Sequence, residues 1–152
     1  MQDNTVGSRS NTDLAYIAGF LDGDGSIYVQ LKPNPTYKYG YQVAPYVVLF
    51  QSSKDREKFV RVCKLIGVGH LRVRNDGILE YIISKHDEIQ SFLKRIYPFV
   101  ILKKRQIELM IQILKQKERI STKKDFASLL RLIDSYRGLN YSKKRKRRTL
   151  TP

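Results

Sequence analysis

The stretch Leu14-Ala15-Tyr16-Ile17-Ala18-Gly19-Phe20-Leu21-Asp22-Gly23-Asp24-Gly25 decides how the rest of the chain is read. Its spacing predicts a helix that runs into a strand. Asn11 or Thr12 offers an N-cap, and Asp13 sits favourably in the first turn. Leu14, Ile17 and Leu21 recur at helical spacing and form a core stripe. Ala15, Ala18, Gly19, Asp22 and Gly23 make a second face on which nothing is larger than aspartate. Such a face lets a second backbone come very close.

The end of this helix is unusual. Asp22 and Asp24 lie where the helix dipole is negative, a place that favours cations. Gly23 and Gly25 remove side chains around them and widen the backbone angles allowed. Acids set against the dipole beside bare backbone are best explained by a bound cation. Hard oxygen ligands select magnesium or calcium over zinc.

Ile17-Ala18-Gly19-Phe20-Leu21-Asp22-Gly23-Asp24-Gly25, followed by the strand opening Ser26-Ile27, resembles the signature motif of the LAGLIDADG homing endonucleases. The competing match is the calcium loop of EF-hands. With Gly25 as that loop's sixth residue, Phe20 and Leu31 would stand where acids are required, so the match fails.

Bulk properties point the same way. The chain has 152 residues, enough for one domain with a substantial core, and a formal net charge of +15. That charge implies a polyanionic partner, nucleic acid first. An acidic membrane would need a basic amphipathic helix or a lipid anchor, and neither is evident. No apolar run is long enough for a membrane span, and the polar N-terminus is not expected to be a secretory signal. The single cysteine, Cys63, allows no internal disulfide and suits a reducing compartment; with two histidines no zinc-site spacing arises. The location expected is intracellular, with organelle, nucleus and prokaryotic cytoplasm all open.

Along the chain, residues 1–10 read as a flexible lead, 11–138 as one domain and 139–152 as a basic tail carrying Lys143-Lys144-Arg145-Lys146-Arg147-Arg148. Residues 26–32 alternate with period two and 41–51 form a second strand, in which Pro45 suggests an edge position or a bulge. A helix from Ser53 ends at Gly67, and Cys63 lies on its core stripe. A second hairpin, 68–74 and 78–84, turns at Asn75-Asp76-Gly77. Helices are expected at 87–97, 103–119 and 125–136. The class is therefore α+β: an αββαββα unit with one antiparallel sheet, its helices on one face, and further C-terminal helices.

The other face of that sheet carries Tyr28, Gln30, Lys32, Gln42, Tyr46, His70, Arg72, Arg74, Glu80 and Ile82. Gln, Arg and Lys can bond base edges bidentately, and a two-stranded ribbon fits the major groove. Asn34, Thr36 and Tyr37 join this DNA-facing set from the first hairpin's loop, while Lys38 and Lys54 are assigned to phosphates. An ordinary solvated sheet face is the alternative. His86 is a helix-start residue. Asp22 either lines the close-packed face or bonds backbone groups. The tail is a nuclear address, a DNA anchor or a solubilising segment.

The resemblance covers about residues 12–137. Ile66-Gly67-Val68-Gly69, Tyr81-Ile82-Ile83-Ser84 and Pro98-Phe99 before Lys103 are similar to the single-motif, homodimeric branch. That resemblance implies a saddle-shaped sheet in the DNA major groove and paired motif helices meeting through Ala15, Ala18, Gly19, Asp22 and Gly23. It implies that Asp24 binds a metal ion with help from the Gly23 carbonyl, that Gln51 orders water, and that Lys103 lies near the scissile phosphate. A basic residue expected soon after Gln51 is replaced by Asp55, flanked by Lys54 and Arg56. The implied activity is metal-dependent, sequence-specific cleavage of both strands of a long, near-palindromic double-stranded site. Magnesium is the expected cofactor, manganese the substitute, and calcium a binder that does not support cutting. Neither a membrane nor a small-molecule substrate is expected. The rival is a relative that binds without cutting, such as an intron maturase or a regulator.

Overall fold

The computed structural model describes residues 10–139; all of the expected lead but Ser10 and all of the basic tail but Leu139 lie outside the described residues. Helix α1 spans Asn11–Asp24 and passes directly into β1, Gly25–Pro33. Its cap is Ser10, one residue before the expected Asn11 or Thr12: the Ser10 hydroxyl accepts from the Asp13 N–H at 3.1 Å. Strand β2 is Tyr41–Ser52, and after a short 3-10 turn, Ser53–Asp55, helix α2 runs Arg56–Ile66. The second hairpin is β3, His70–Val73, with β4, Ile78–Ile83. Helices α3 (His86–Ile96), α4 (Lys104–Glu118) and α5 (Lys123–Arg137) complete the order.

The strands form one antiparallel sheet in the order β1-β2-β4-β3. Pairing of β1 with β2 runs unbroken from Gly25↔Leu49 to Pro33↔Tyr41, so Pro45 makes no bulge. It lies outside the Val47–Ser52 stretch that pairs with β4, where β2 has a single neighbour and a missing N–H costs nothing. The turn between β3 and β4 closes at Gly77, whose φ of +80° suits glycine.

Ile27, Val29, Leu31, Val43, Val47, Leu49, Leu79, Tyr81 and Ile83 share one cluster with the buried apolar side chains of all five helices. The helices therefore cover one face, as the period-two pattern requires. Cys63 belongs to this cluster, and burial pushes its thiol up to about 11. The outer strand β1 is sealed by α5. The buried Tyr136 hydroxyl donates to the Ile27 carbonyl, and the Arg137 guanidinium donates to Val29 O at 3.4 Å. These bonds occupy two carbonyls along the outer edge of β1.

Candidate active site and nucleic-acid face

Asp22 is committed within its own chain. Its carboxylate accepts the backbone N–H groups of Ile101 (2.7 Å), Leu102 (3.0 Å) and Lys103 (3.1 Å), which form the entrance to α4. The Lys103 ammonium in turn donates to the Asp22 carbonyl at 2.8 Å. A carboxylate thus sits at the positive end of α4 and an ammonium at the negative end of α1, which satisfies both dipoles. Of the two acids set against the α1 dipole, Asp22 needs no metal. Its carboxylate takes one of the two roles expected of it, the bonding of backbone groups.

Asp24 is different. It is exposed at the junction of α1 with β1, and no other described residue bonds its carboxylate. No group of three or more His, Cys, Asp or Glu side chains gathers among the described residues. The Asp24 carboxylate and the Gly23 carbonyl are hard oxygen donors of the kind Mg²⁺ and Ca²⁺ take. Lys103 is held two residues away along α1 by its bond to Asp22. Gln51 lies at the end of β2, two residues past the Leu49↔Gly25 pair, and its Oε1 accepts from Ser52 N at 2.8 Å. Lys54, Asp55 and Arg56 are all exposed at the start of α2.

The close-packing face of α1 needs one correction. Ala18 is 0% exposed and belongs to the core, so it cannot line a surface. The exposed stripe is Thr12, Ala15, Tyr16, Gly19 and Gly23, which recur on one side of a 3.6-residue helix. Tyr16 is 55% exposed, so this side is not uniformly small. Ala18 turns inward because α1 packs on the sheet and also on α3 and the 3-10 turn Tyr97–Phe99. The glycines of this helix end differ in purpose. A Cβ on Gly25 would lie 2.5 Å from Leu21 Cδ1 and 2.9 Å from its backbone, so the chain's own packing demands glycine there. A Cβ on Gly19 or Gly23 would meet nothing within 4 Å. Beside them Ile101 (81% exposed) and Leu102 (75%) are held outward by the Asp22 bonds. Sequence reasoning passed over Tyr16, Ile101 and Leu102. Centring the helical wheel on Gly19 would have found Tyr16.

The uncovered sheet face carries the expected residues: Tyr28, Gln30 and Lys32 on β1, Gln42 and Tyr46 on β2, Glu80 and Ile82 on β4, His70 and Arg72 on β3. Arg74 falls just past β3, in the turn. Its guanidinium pairs with Asp76 at 2.6 Å and Glu80 at 3.7 Å, and Arg72 reaches Glu80 at 3.9 Å. These exposed pairs hold the arginines loosely in place. The same face has an apolar centre the sequence did not reveal: Ala44 (7% exposed) and Val48 (1%) are buried there, outside the helix-covered core. Tyr28 and Tyr46, directly opposed, stack with ring centroids 5.2 Å apart. Burial raises the Tyr28 phenol pKa, as do the neighbouring Tyr46 and Glu80, while Arg72 opposes them. In the hairpin loop, Asn34 Oδ1 accepts from the Thr36 N–H and hydroxyl at 3.0 and 2.6 Å. Tyr37 is exposed, and Lys38 lies over Tyr39, whose ring stacks on Phe126 of α5. The loop is thereby fixed to the helical layer.

A helix-backed, basic antiparallel sheet with an acid-tipped helix at its edge is the architecture of a homing-endonuclease unit. A family model described as LAGLIDADG endonuclease matches residues 17–114, and the chain belongs to that family. It is 36% identical over 134 residues to DNA endonuclease I-CreI of Chlamydomonas reinhardtii, spanning 88% of this chain and 82% of that one. It is 34% identical over 102 residues to DNA endonuclease I-CvuI of Chlorella vulgaris, spanning 67% of this chain and 63% of that one. The solved structure of I-CvuI with its target and 2 mM calcium superposes with a TM-score of 0.82 at 30% identity, covering 89% and 86% of the two chains. The archaeal intron-encoded homing endonuclease I-Vdi141I, solved with DNA, shares the fold at a TM-score of 0.77 and 22% identity over 91% and 89%.

Proposed function

We propose that this chain is a sequence-specific, divalent-metal-dependent DNA endonuclease that works as a homodimer on a long, near-palindromic duplex site. The observation that carries the reading is the end of α1. No other described residue bonds the Asp24 carboxylate, which stands beside two helical glycines that the described packing does not require. Glycine inside a helix costs about 1 kcal/mol relative to alanine. Two of them on an exposed stripe make sense if another backbone passes over them. A second copy related by a two-fold axis meets that need with the same surface and brings a second Asp24 to the axis. Tyr16, Ile101 and Leu102 flank the contact and supply the apolar surface that two bare glycines lack.

Magnesium held by Asp24 and the Gly23 carbonyl would activate water, neutralise the phosphate and stabilise the leaving oxygen. The chain's own residues set the stage. The Asp22–Lys103 lock fixes the spacing between Asp24 and the Lys103 ammonium, which is thereby kept near the phosphate to be cut. Gln51 turns its amide oxygen to Ser52 and keeps its NH₂ for orienting water. Lys54 and Arg56 hold the two exposed positions either side of Asp55, and either can reach backbone phosphate. The uncovered sheet face lies in the major groove, with Arg72, Arg74, Gln30 and Gln42 toward base edges. Two sites across the axis give two cuts, one per strand. I-CvuI has been solved with an I-CreI target in 2 mM magnesium, its DNA uncleaved, as well as with its own target in calcium. We expect magnesium or manganese to support cutting here and calcium to support binding alone.

The test is incubation with a randomised plasmid library and magnesium. Double-strand breaks at a defined site, lost in Asp24→Asn while calcium-supported binding persists, support the reading. Tight specific binding with no break under magnesium or manganese would make the chain a binding-only relative.

A further inference from the structure

Beside the apolar centre of the uncovered sheet face, the Tyr46 hydroxyl has a defined bonding partner. The Lys32 ammonium donates to the Tyr46 hydroxyl at 2.6 Å and lies 5.2 Å from the centre of the same ring. On the sheet, the row between Lys32 and Tyr46 holds only Gln30 and the small, buried Ala44. The ring is also held by its stack against Tyr28, with ring centroids 5.2 Å apart.

An ammonium has only protons to offer, so the Tyr46 oxygen is the acceptor in this contact. The hydroxyl then has one proton left to give and little capacity to accept again. Facing a major groove, it can bond purine N7, guanine O6 or thymine O4. It has nothing to offer the exocyclic amino groups of cytosine and adenine. We propose that Tyr46, polarised by Lys32, is a specificity-determining residue. It reads one base pair in each half-site through a base-edge acceptor and rejects an amino group presented there. This rests on the endonuclease reading above and names a contact within it. The rigid, half-buried ring makes the reading sharp, because the hydroxyl cannot swing to a phosphate without breaking the stack and the lysine contact. Arg72 and Arg74, held loosely by exposed ion pairs, lack that constraint.

The experiment is equilibrium binding in calcium, using a target first selected from random duplexes by the wild-type chain. Every single-base-pair substitution of one half-site is measured against wild type, Tyr46→Phe and Lys32→Met. Tyr46→Phe keeps the ring and its stack and removes only the hydroxyl. We expect it to lower affinity for the selected target by roughly three- to tenfold, the value of one hydrogen bond. Discrimination should vanish at one base pair and stay unchanged elsewhere. Lys32→Met frees the hydroxyl to accept, so substitutions that present an amino group at that same base pair should regain affinity relative to wild type. The proposal is overturned if Tyr46→Phe weakens all substituted sites evenly, which would make the hydroxyl a phosphate contact. It is equally overturned if Tyr46→Phe matches wild type everywhere, or if Lys32→Met changes discrimination only at a different base pair. A chain that selects no sequence at all sinks the endonuclease reading, and this contact with it.

Discussion

Gly19→Ala separates what the fold wants from what the function wants. In the single chain an added methyl at Gly19 meets nothing within 4 Å, so the substitution removes a helix-destabilising residue without a clash. Replacing glycine by alanine within a helix is worth about 1 kcal/mol. For a chain of this size that corresponds to a rise in melting temperature of roughly 2–4 °C. If a second copy passes over the same stripe, the methyl has to be accommodated between two close backbones. Overpacking of that kind costs about 1–3 kcal/mol per added group, which weakens association by roughly 5- to 150-fold. Because the axis repeats the substitution in both copies, the upper part of that range is expected. Urea unfolding at a concentration that keeps the chain monomeric measures the first effect, and sedimentation equilibrium measures the second. The two should move in opposite directions: a more stable chain and a weaker dimer. A Gly19→Ala chain that gains stability and associates as tightly as wild type would refute the placement of the partner on this stripe.

Other consequences follow from single contacts. Asp22→Ala removes a carboxylate that caps three backbone N–H groups at the start of α4, and we expect a loss of roughly 2–4 kcal/mol in denaturant unfolding. Asp24→Asn should leave stability unchanged or raise it by up to about 1 kcal/mol, because no described residue bonds the carboxylate and its charge opposes the α1 dipole, while cleavage falls below detection. Tyr136→Phe strips the donor from the buried Ile27 carbonyl and should cost about 1–3 kcal/mol by the same unfolding assay. Hydrogen bonds from the Ser121 N–H, then the Thr122 and Ser121 hydroxyls, hold Asp125 below the usual carboxylate range. A lowered folded pKa stabilises the protein above the unfolded carboxylate value near ~4 and loses that contribution as pH falls through the folded value. Asp125→Asn should therefore lower the neutral part of a melting-temperature-against-pH profile, leave its acid end nearly unchanged, and so flatten the acid limb between them.

The strands were legible because their cause is local. Alternation from Ile27 to Leu31 and the turn at Asn75-Asp76-Gly77 each depend on a handful of neighbouring residues, and the sheet formed where they pointed. Helix ends slipped by a residue or two because several polar residues compete to cap, as Ser10 did ahead of Asn11. That Asp22 bonds backbone groups was one of two readings open, but which groups was illegible for a different reason. Its partners at 101–103 lie far along the chain, and no local pattern announces a carboxylate that caps a distant helix. Ala18 was misassigned because a helical wheel shows which residues share a face without saying how many neighbours the helix packs against. Val48 escaped notice since alternation assigns it outward, while its burial depends on neighbours across the sheet that a single strand's pattern does not show.

The relation between two copies is tested most directly by a crystal structure of the chain bound to its selected duplex in calcium. The account predicts two chains per duplex, α1 against α1 through Gly19 and Gly23, with both Asp24 carboxylates on cations beside the two scissile phosphates. One chain per duplex, or Asp24 side chains far from each other and from any phosphate, would contradict it.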